Sequence, residues 1–362
     1  MKQNLKIIIS ILLTLLIFII FLFSVLVFQG KIGPSLLAAL FWQITNETEI
    51  IGDDGFGNSL CLDRLQNPAV SFLNKENELF FAQRVNGRWQ KEIVAHDAQA
   101  GHQTSLAFDK EGKPNILYIS NNFSLKLATK INSHWKIEKI YENAALSPNL
   151  IFDKDNIPHI SFWSPYKGLM YGKKIDGKWR IELVDGGKVG WWNSLALDDK
   201  ALPHISYFDF ENKDLLYIFF DGTKWKKEIV DFEGDVGRFN SLILDKENLP
   251  HISYVEENFA TKPCCGVKYA EKEKDGWKIE KVDFERGAEK TKIAFFDNTF
   301  YISYFDGKFK LAKKINNSWQ IYTIALKGNQ GGDTSIFVDK NGKLYLIWQD
   351  FDNGKLKYTR IE

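Results

Sequence analysis

The phrase Asn193-Ser-Leu-Ala-Leu-Asp198, followed by Pro203-His-Ile-Ser-Tyr207, is repeated along this chain. It recurs as Asn240–Asp245 with Pro250–Tyr254, and as Asn149-Leu-Ile-Phe-Asp153 with Pro158–Phe162. Looser copies begin at Ser59, Ser105, Lys292 and Ser335, giving seven copies with a mean period of 46 residues. Each copy holds four short segments. The first alternates apolar and polar residues and runs into an Asp-Lys-x-Gly/Asn-x-Pro turn. The second is Pro-His-Ile-Ser-Tyr, its proline at the strand start, where a missing N–H costs least. The third is Leu-x-Tyr-Ala-like, as at Leu79–Ala82 and Leu169–Gly172. The fourth opens on tryptophan after Asn86-Gly87, Asp176-Gly177, Asp221-Gly222 or Asp275-Gly276, which are strong hairpin signals.

Four antiparallel strands every 40–50 residues predict a β-propeller blade. One such sheet has too little core to stand alone, so blades must stack and close a ring. That reading overrides the two or three domains suggested by the length of 362 residues. The seventh copy stops after its third segment, and Thr48-Glu-Ile-Ile51 upstream of the first copy resembles a fourth segment. The expectation is an all-β, seven-bladed ring with 1+3 closure by the N-terminal strand. Six blades are the alternative, because the sixth copy (Lys292–Ile324) is the most degenerate.

The repeated phrase resembles repeats of secreted bacterial and archaeal propeller proteins, similar to the fucose-specific lectin and sialidase-like propellers. The likeness covers Gly57 to Glu362 and implies architecture more than function, because the repeated residues are structural.

Ile7 to Phe28 is an uncharged apolar run of 22 residues, long enough to span a membrane as a helix. Lys2 and Lys6 before it favour a cytoplasmic N-terminus and an extracytoplasmic remainder. A cleaved signal peptide is the rival reading, but its apolar region is shorter and no Ala-x-Ala follows. The expected organisation is a cytoplasmic tip (1–6), a signal-anchor helix (7–28), a linker (29–45) and the propeller (46–362). Lys+Arg 47 against Asp+Glu 46 gives a net charge of +1, which argues against a nucleic-acid partner. Three cysteines cannot form a disulfide framework. The adjacent Cys264 and Cys265 read either as a vicinal disulfide or as incidental thiols.

Six of the 11 tryptophans open the fourth segment (Trp89, Trp135, Trp179, Trp225, Trp277, Trp319) and are expected to pack. Trp163, Trp191, Trp192 and Trp348 fall beside the second-to-third and fourth-to-first connections. Those connections share one face of a propeller, so the four are expected to converge there, either as loop packing or as ligand contacts. His159, His204 and His251 share one repeat position, which places each in a different blade. A bond to the neighbouring blade is expected of them rather than a zinc site. His102 with Gln103, and Arg238 with Phe239, stand just ahead of a first segment on that face.

The motifs for catalysis are thin. A sialidase needs an arginine cluster, and only Arg238 of seven arginines is placed on the expected face. Asp209, Glu256, Asp306 and Asp350 recur after the second segment, which suits turn capping better than an acid–base pair. No cofactor or metal motif stands out. The sequence reads as a membrane-anchored, extracytoplasmic binding module for a glycan or envelope polymer. Its candidate ligand residues are His102, Gln103, Trp163, Trp191, Trp192, Asn193, Arg238, Phe239, Asn240 and Trp348. An envelope-protein scaffold and a glycoside hydrolase are the alternatives.

Overall fold

A computed structural model describes residues 48–99, 102–257, 265–284, 287–325 and 330–361. The anchor expected at 7–28 and the linker at 29–45 lie outside the described residues. So does Cys264, and only the backbone of Cys265 is described.

Seven four-stranded antiparallel sheets make up the described chain. Numbered by sequence, blade one spans Phe56–Ala95, with blade two at Ser105–Glu142, blade three at Leu146–Gly186 and blade four at Val189–Asp231. Blade five spans Asp235–Asp283, and blade six Glu289–Ala325. The sixth copy thus forms a complete sheet despite its weak sequence, and the six-bladed alternative falls. The seventh sheet runs outward through Gln330–Val338, Leu344–Asp350, Lys355–Ile361 and Thr48–Asp53. Thr48 pairs with Thr359 and Ile50 with Lys357, and the register shifts at Gly52. Ile51 is buried among Val70, Phe72, Leu356 and Tyr358. First strands touch first strands all the way round, from blade one to blade seven and back to blade one.

The repeated residues are interblade fasteners, which explains why they repeat. Trp135, Trp225, Trp277 and Trp319 donate their indole N–H to Glu92, Glu182, Glu228 and Glu280 of the preceding blade at 3.2, 3.3, 2.9 and 3.0 Å. Each ring also meets an aromatic of that blade edge-on, as Trp225 meets Tyr171 at 5.4 Å. Nearer the axis, Tyr254 donates to Asp231 of the preceding blade at 2.6 Å, and Lys268 to the same carboxylate at 3.0 Å. Tyr304 and Lys310 repeat the arrangement on Asp283. Innermost, Ser206 donates to Asn240 Oδ1 and Ser161 to Asn193 Oδ1, both at 2.6 Å.

The repeated histidines differ from expectation. His159 and His251 hydrogen-bond through Nδ1 to the hydroxyls of Tyr171 and Tyr269, each at 2.6 Å, and through Nε2 to Asp153 and Asp245. All these partners lie in the histidine's own blade, and His204 bonds Tyr217 in the same way. The neighbouring blade supplies packing: Phe300 sits 4.3 Å from the His251 ring. Burial holds all three imidazoles below their ordinary pKa, so they serve as neutral core groups.

Candidate functional site: an aromatic face at the channel mouth

The second-to-third and fourth-to-first connections are bonded to one another, which puts them on one face. Asn121 N donates to Asp97 O at 2.8 Å, Gly187 N to Lys167 O at 3.1 Å and Val236 N to Lys213 O at 2.9 Å.

The rim of that face is shaped by a short local motif. In Gly190-Trp-Trp-Asn193 the asparagine amide donates back to the Gly190 carbonyl at 3.0 Å. Gly237-Arg-Phe-Asn240 does the same at 2.9 Å. Glycine is required at the head of each. Its φ is +104° or +105°, and a Cβ there would lie 2.9 or 2.8 Å from the backbone of Leu169 or Leu215. The turn shifts the strand register and leaves Trp192 and Phe239 at φ 47° and 50°. Bulky side chains rarely hold that backbone, and such strain concentrates at functional sites.

The aromatic rings form a continuous series around the mouth. Trp163 lies 4.7 Å from Trp191, Trp191 lies 4.9 Å from Phe210, and Trp192 lies 4.8 Å from Phe239. Arg238 braces the series from one side. Its guanidinium lies over the Trp192 and Phe208 rings at 5.5 and 5.0 Å, and is paired with Asp235 and Glu257 at 3.1 Å each. Further round, Lys290 lies over Phe239 at 4.9 Å and pairs with Asp333 at 3.1 Å.

The structure sorts the expected site residues into two groups. Trp163, Trp191, Trp192, Arg238 and Phe239 come together. His102 and Gln103 occupy the same level of blade two, and Gln103 lines the channel. Burial holds the His102 imidazole below its ordinary pKa, and its Nδ1 has no hydrogen-bond partner among the described residues. Trp163 Nε1 is likewise buried and unpartnered. The other group belongs to the framework. Asn193 and Asn240 are buried, and their amides are spent on interblade and bulge bonds. Trp348 does not converge with the other tryptophans: only 2% exposed, it stacks on Phe309 at 4.8 Å. It occupies the repeat position of Tyr207 and Tyr254, so its burial was readable from the alignment of copies. The four repeated carboxylates are also engaged. Asp209 accepts from Glu211 N at 2.8 Å, while Glu256, Asp306 and Asp350 pair with Lys268, Lys310 and Lys357.

Sequence reasoning missed a second set. The five most exposed large aromatics among the described residues are Phe123, Tyr166, Phe210, Phe232 and Phe351. All five stand in connections of this same face, with Tyr166 82% and Phe232 69% exposed. Their signal was an aromatic inside a connection whose neighbours are polar, as in Asn-Asn-Phe123-Ser.

No protein-family model matches the chain, and no curated protein sequence does. Solved structures do resemble it. A PL25 ulvan lyase aligns with 14% identity over 86% of this chain and 95% of its own, with a TM-score of 0.63. The SapL1 lectin, solved with α-methyl fucoside, aligns with 10% identity over 76% of this chain and 98% of its own, with a TM-score of 0.54. AofleA from Arthrobotrys oligospora aligns with 12% identity over 78% and 90%, with a TM-score of 0.53. At these identities the likeness is one of fold.

Proposed function

We propose that this chain is a glycan-binding propeller whose binding face is the aromatic one. The observation that carries the reading is the run of rings Trp163, Trp191, Phe210, Trp192 and Phe239 at the channel mouth. Half-buried aromatic rings present a flat apolar surface to a sugar ring while polar neighbours select its hydroxyls. His102, with an unpartnered ring nitrogen, and Gln103 supply that polar set. Arg238 is a positioning residue, because its charge is already matched by two carboxylates. Propellers named as a lectin and as a polysaccharide lyase among the similar structures support a glycan as ligand. The segment 7–28 is proposed to tether the ring at the extracytoplasmic side of a membrane, with the strand Thr48–Asp53 latching the ring just beyond it.

A glycan array probed with the full-length protein and with a Trp191→Ala/Phe210→Ala variant tests this. Binding of a defined glycan class, lost in the variant, is the expected result. No glycan bound, or equal binding by both proteins, overturns the reading.

The scaffold reading draws on a different observation: Tyr166 and Phe232 are 82% and 69% exposed. Exposed aromatics of that kind anchor protein partners. Sugar-independent capture of one defined envelope protein, abolished by Tyr166→Ala/Phe232→Ala, would establish it.

A further inference from the structure

The seven first strands enclose a channel along the ring axis, with a cavity of about 210 Å³. Six copies place Ser59, Ser105, Asn149, Ser194, Ser241 and Ser335 at one position of that strand. Blade six places Lys292 there: Lys292 pairs with Ser303 in register, as Ser241 pairs with Ser253. The exception is a cation in a ring of small neutral polar groups. Lys292 lines the cavity, and no hydrogen bond or ion pair to its ammonium occurs among the described residues. Its neighbour Lys290 is matched by Asp333, so among the described residues the channel carries one unmatched positive charge. Burial lowers the Lys292 pKa below that of an ordinary lysine, against the attraction of Asp333. Half-buried and facing the channel, that ammonium is free to pair with an anion entering from solvent.

The serines point to what that is. Ser59, Ser105 and Ser241 each accept a backbone N–H from the next blade, Leu106 at 3.1 Å, Leu150 at 2.9 Å and Ile293 at 3.3 Å. Their hydroxyl protons have no acceptor among the described residues. All three serines line the same cavity as Lys292. The cavity therefore offers unengaged hydroxyl donors together with a cation, in a space several times what one water needs.

We propose that the channel is an anion site, in which the Lys292 ammonium and the hydroxyl of Ser241, held beside it by its bond to Ile293 N, bind a small monovalent carboxylate. The carboxylate is either a free ion or the acid group of a sugar reaching in from the aromatic mouth. The site itself does not depend on glycan binding. Replacement of Lys292 by serine restores the residue of the other blades, so Lys292→Ser is expected to fold.

Thermal unfolding of the full-length protein tests the proposal, with sodium formate exchanged at constant ionic strength for the salt of a sulfonate too bulky for the cavity. Formate is expected to raise the wild-type Tm by about 2 °C or more. Lys292→Ser and Lys292→Met should both lose the shift, and Lys292→Arg should keep it. No formate shift in the wild type, or an equal shift in Lys292→Ser and Lys292→Met, overturns the proposal. Glucuronate compared with glucose separates the two sources. A shift with glucuronate but not glucose, lost in Lys292→Met, assigns the site to a sugar acid, and a shift with formate alone assigns it to a free ion. Because formate needs no aromatic rim, its result stands whether or not the glycan array succeeds.

Discussion

The two faces of this ring are built from the same strands and differ in almost everything else. On one, six of the seven first-to-second turns carry the same aspartate. Asp63, Asp153, Asp198, Asp245 and Asp339 accept backbone N–H groups two and four residues on, and Asp109 the one four on. On the other face the connections vary in length and sequence from blade to blade, and the five exposed aromatics all lie there. Repetition marks what a blade needs to be a blade. Departure from repetition marks what one part of the ring does that the others do not. Lys292 is the same lesson inside the channel.

Predictions follow from that division. Asp231→Ala should be the most damaging, since it strips the buried Lys268 ammonium and the Tyr254 hydroxyl of their shared partner. Glu256 remains as a second partner at 2.7 Å, so about 3 kcal/mol of stability is expected to be lost in chemical denaturation. Ile51→Ala should cost about 2 kcal/mol and make the last blade sensitive to protease. Ile50→Ala should stay within about 0.5 kcal/mol. The two neighbours differ because Ile51 is 6% exposed and Ile50 58%. Asp198→Ala removes the acceptor of Lys200 N and Leu202 N and should cost about 1 kcal/mol with ligand binding unchanged. If a turn-face change of that kind weakened binding as much as a rim change, the division between faces would be wrong.

The gentlest effect is a pH dependence. Burial lowers the pKa of His102, His159, His204 and His251 in the folded chain. The unfolded chain therefore binds more protons near pH 6, and stability should fall as the pH drops below the ordinary histidine value of about 6.5. Asp214, Glu257 and Asp306, whose pKa values burial raises, act in the opposite sense. The histidine share is read as a flatter slope between pH 7 and 5 in His204→Gln than in the wild type.

Nearly all of the blade architecture was legible, because each strand is announced several times over by the same residues. Partners across blades were harder. The glutamate that receives the Trp225 indole lies 43 residues away, and no local pattern singles it out. The histidines misled for a related reason: their tyrosine and aspartate partners sit in the same copy, at positions whose spacing gave no sign of pairing. For the site, Trp191, Trp192 and Phe239 could be placed because each lies just ahead of a repeated asparagine. Arg238 could be placed on the face but not read as neutralised, since that depends on Glu257, 19 residues on, folding back beside Asp235. Phe232 and Tyr166 were overlooked because single aromatics in loops carry no periodicity. The isolation of Lys292 follows from what six other strands leave unoffered, which only the closed ring displays.

The direct test of the central claim compares the two faces in one titration. A glycan bound on the array is titrated into three full-length proteins: the wild type, the rim variant Trp191→Ala/Phe210→Ala, and a turn-face variant, Leu65→Ala/Leu249→Ala, whose leucines are 82% and 43% exposed. The account predicts at least a tenfold loss of affinity in the rim variant, equivalent to about 1.4 kcal/mol, and none in the turn-face variant. Equal affinity in all three proteins, or equal loss in both variants, would contradict it.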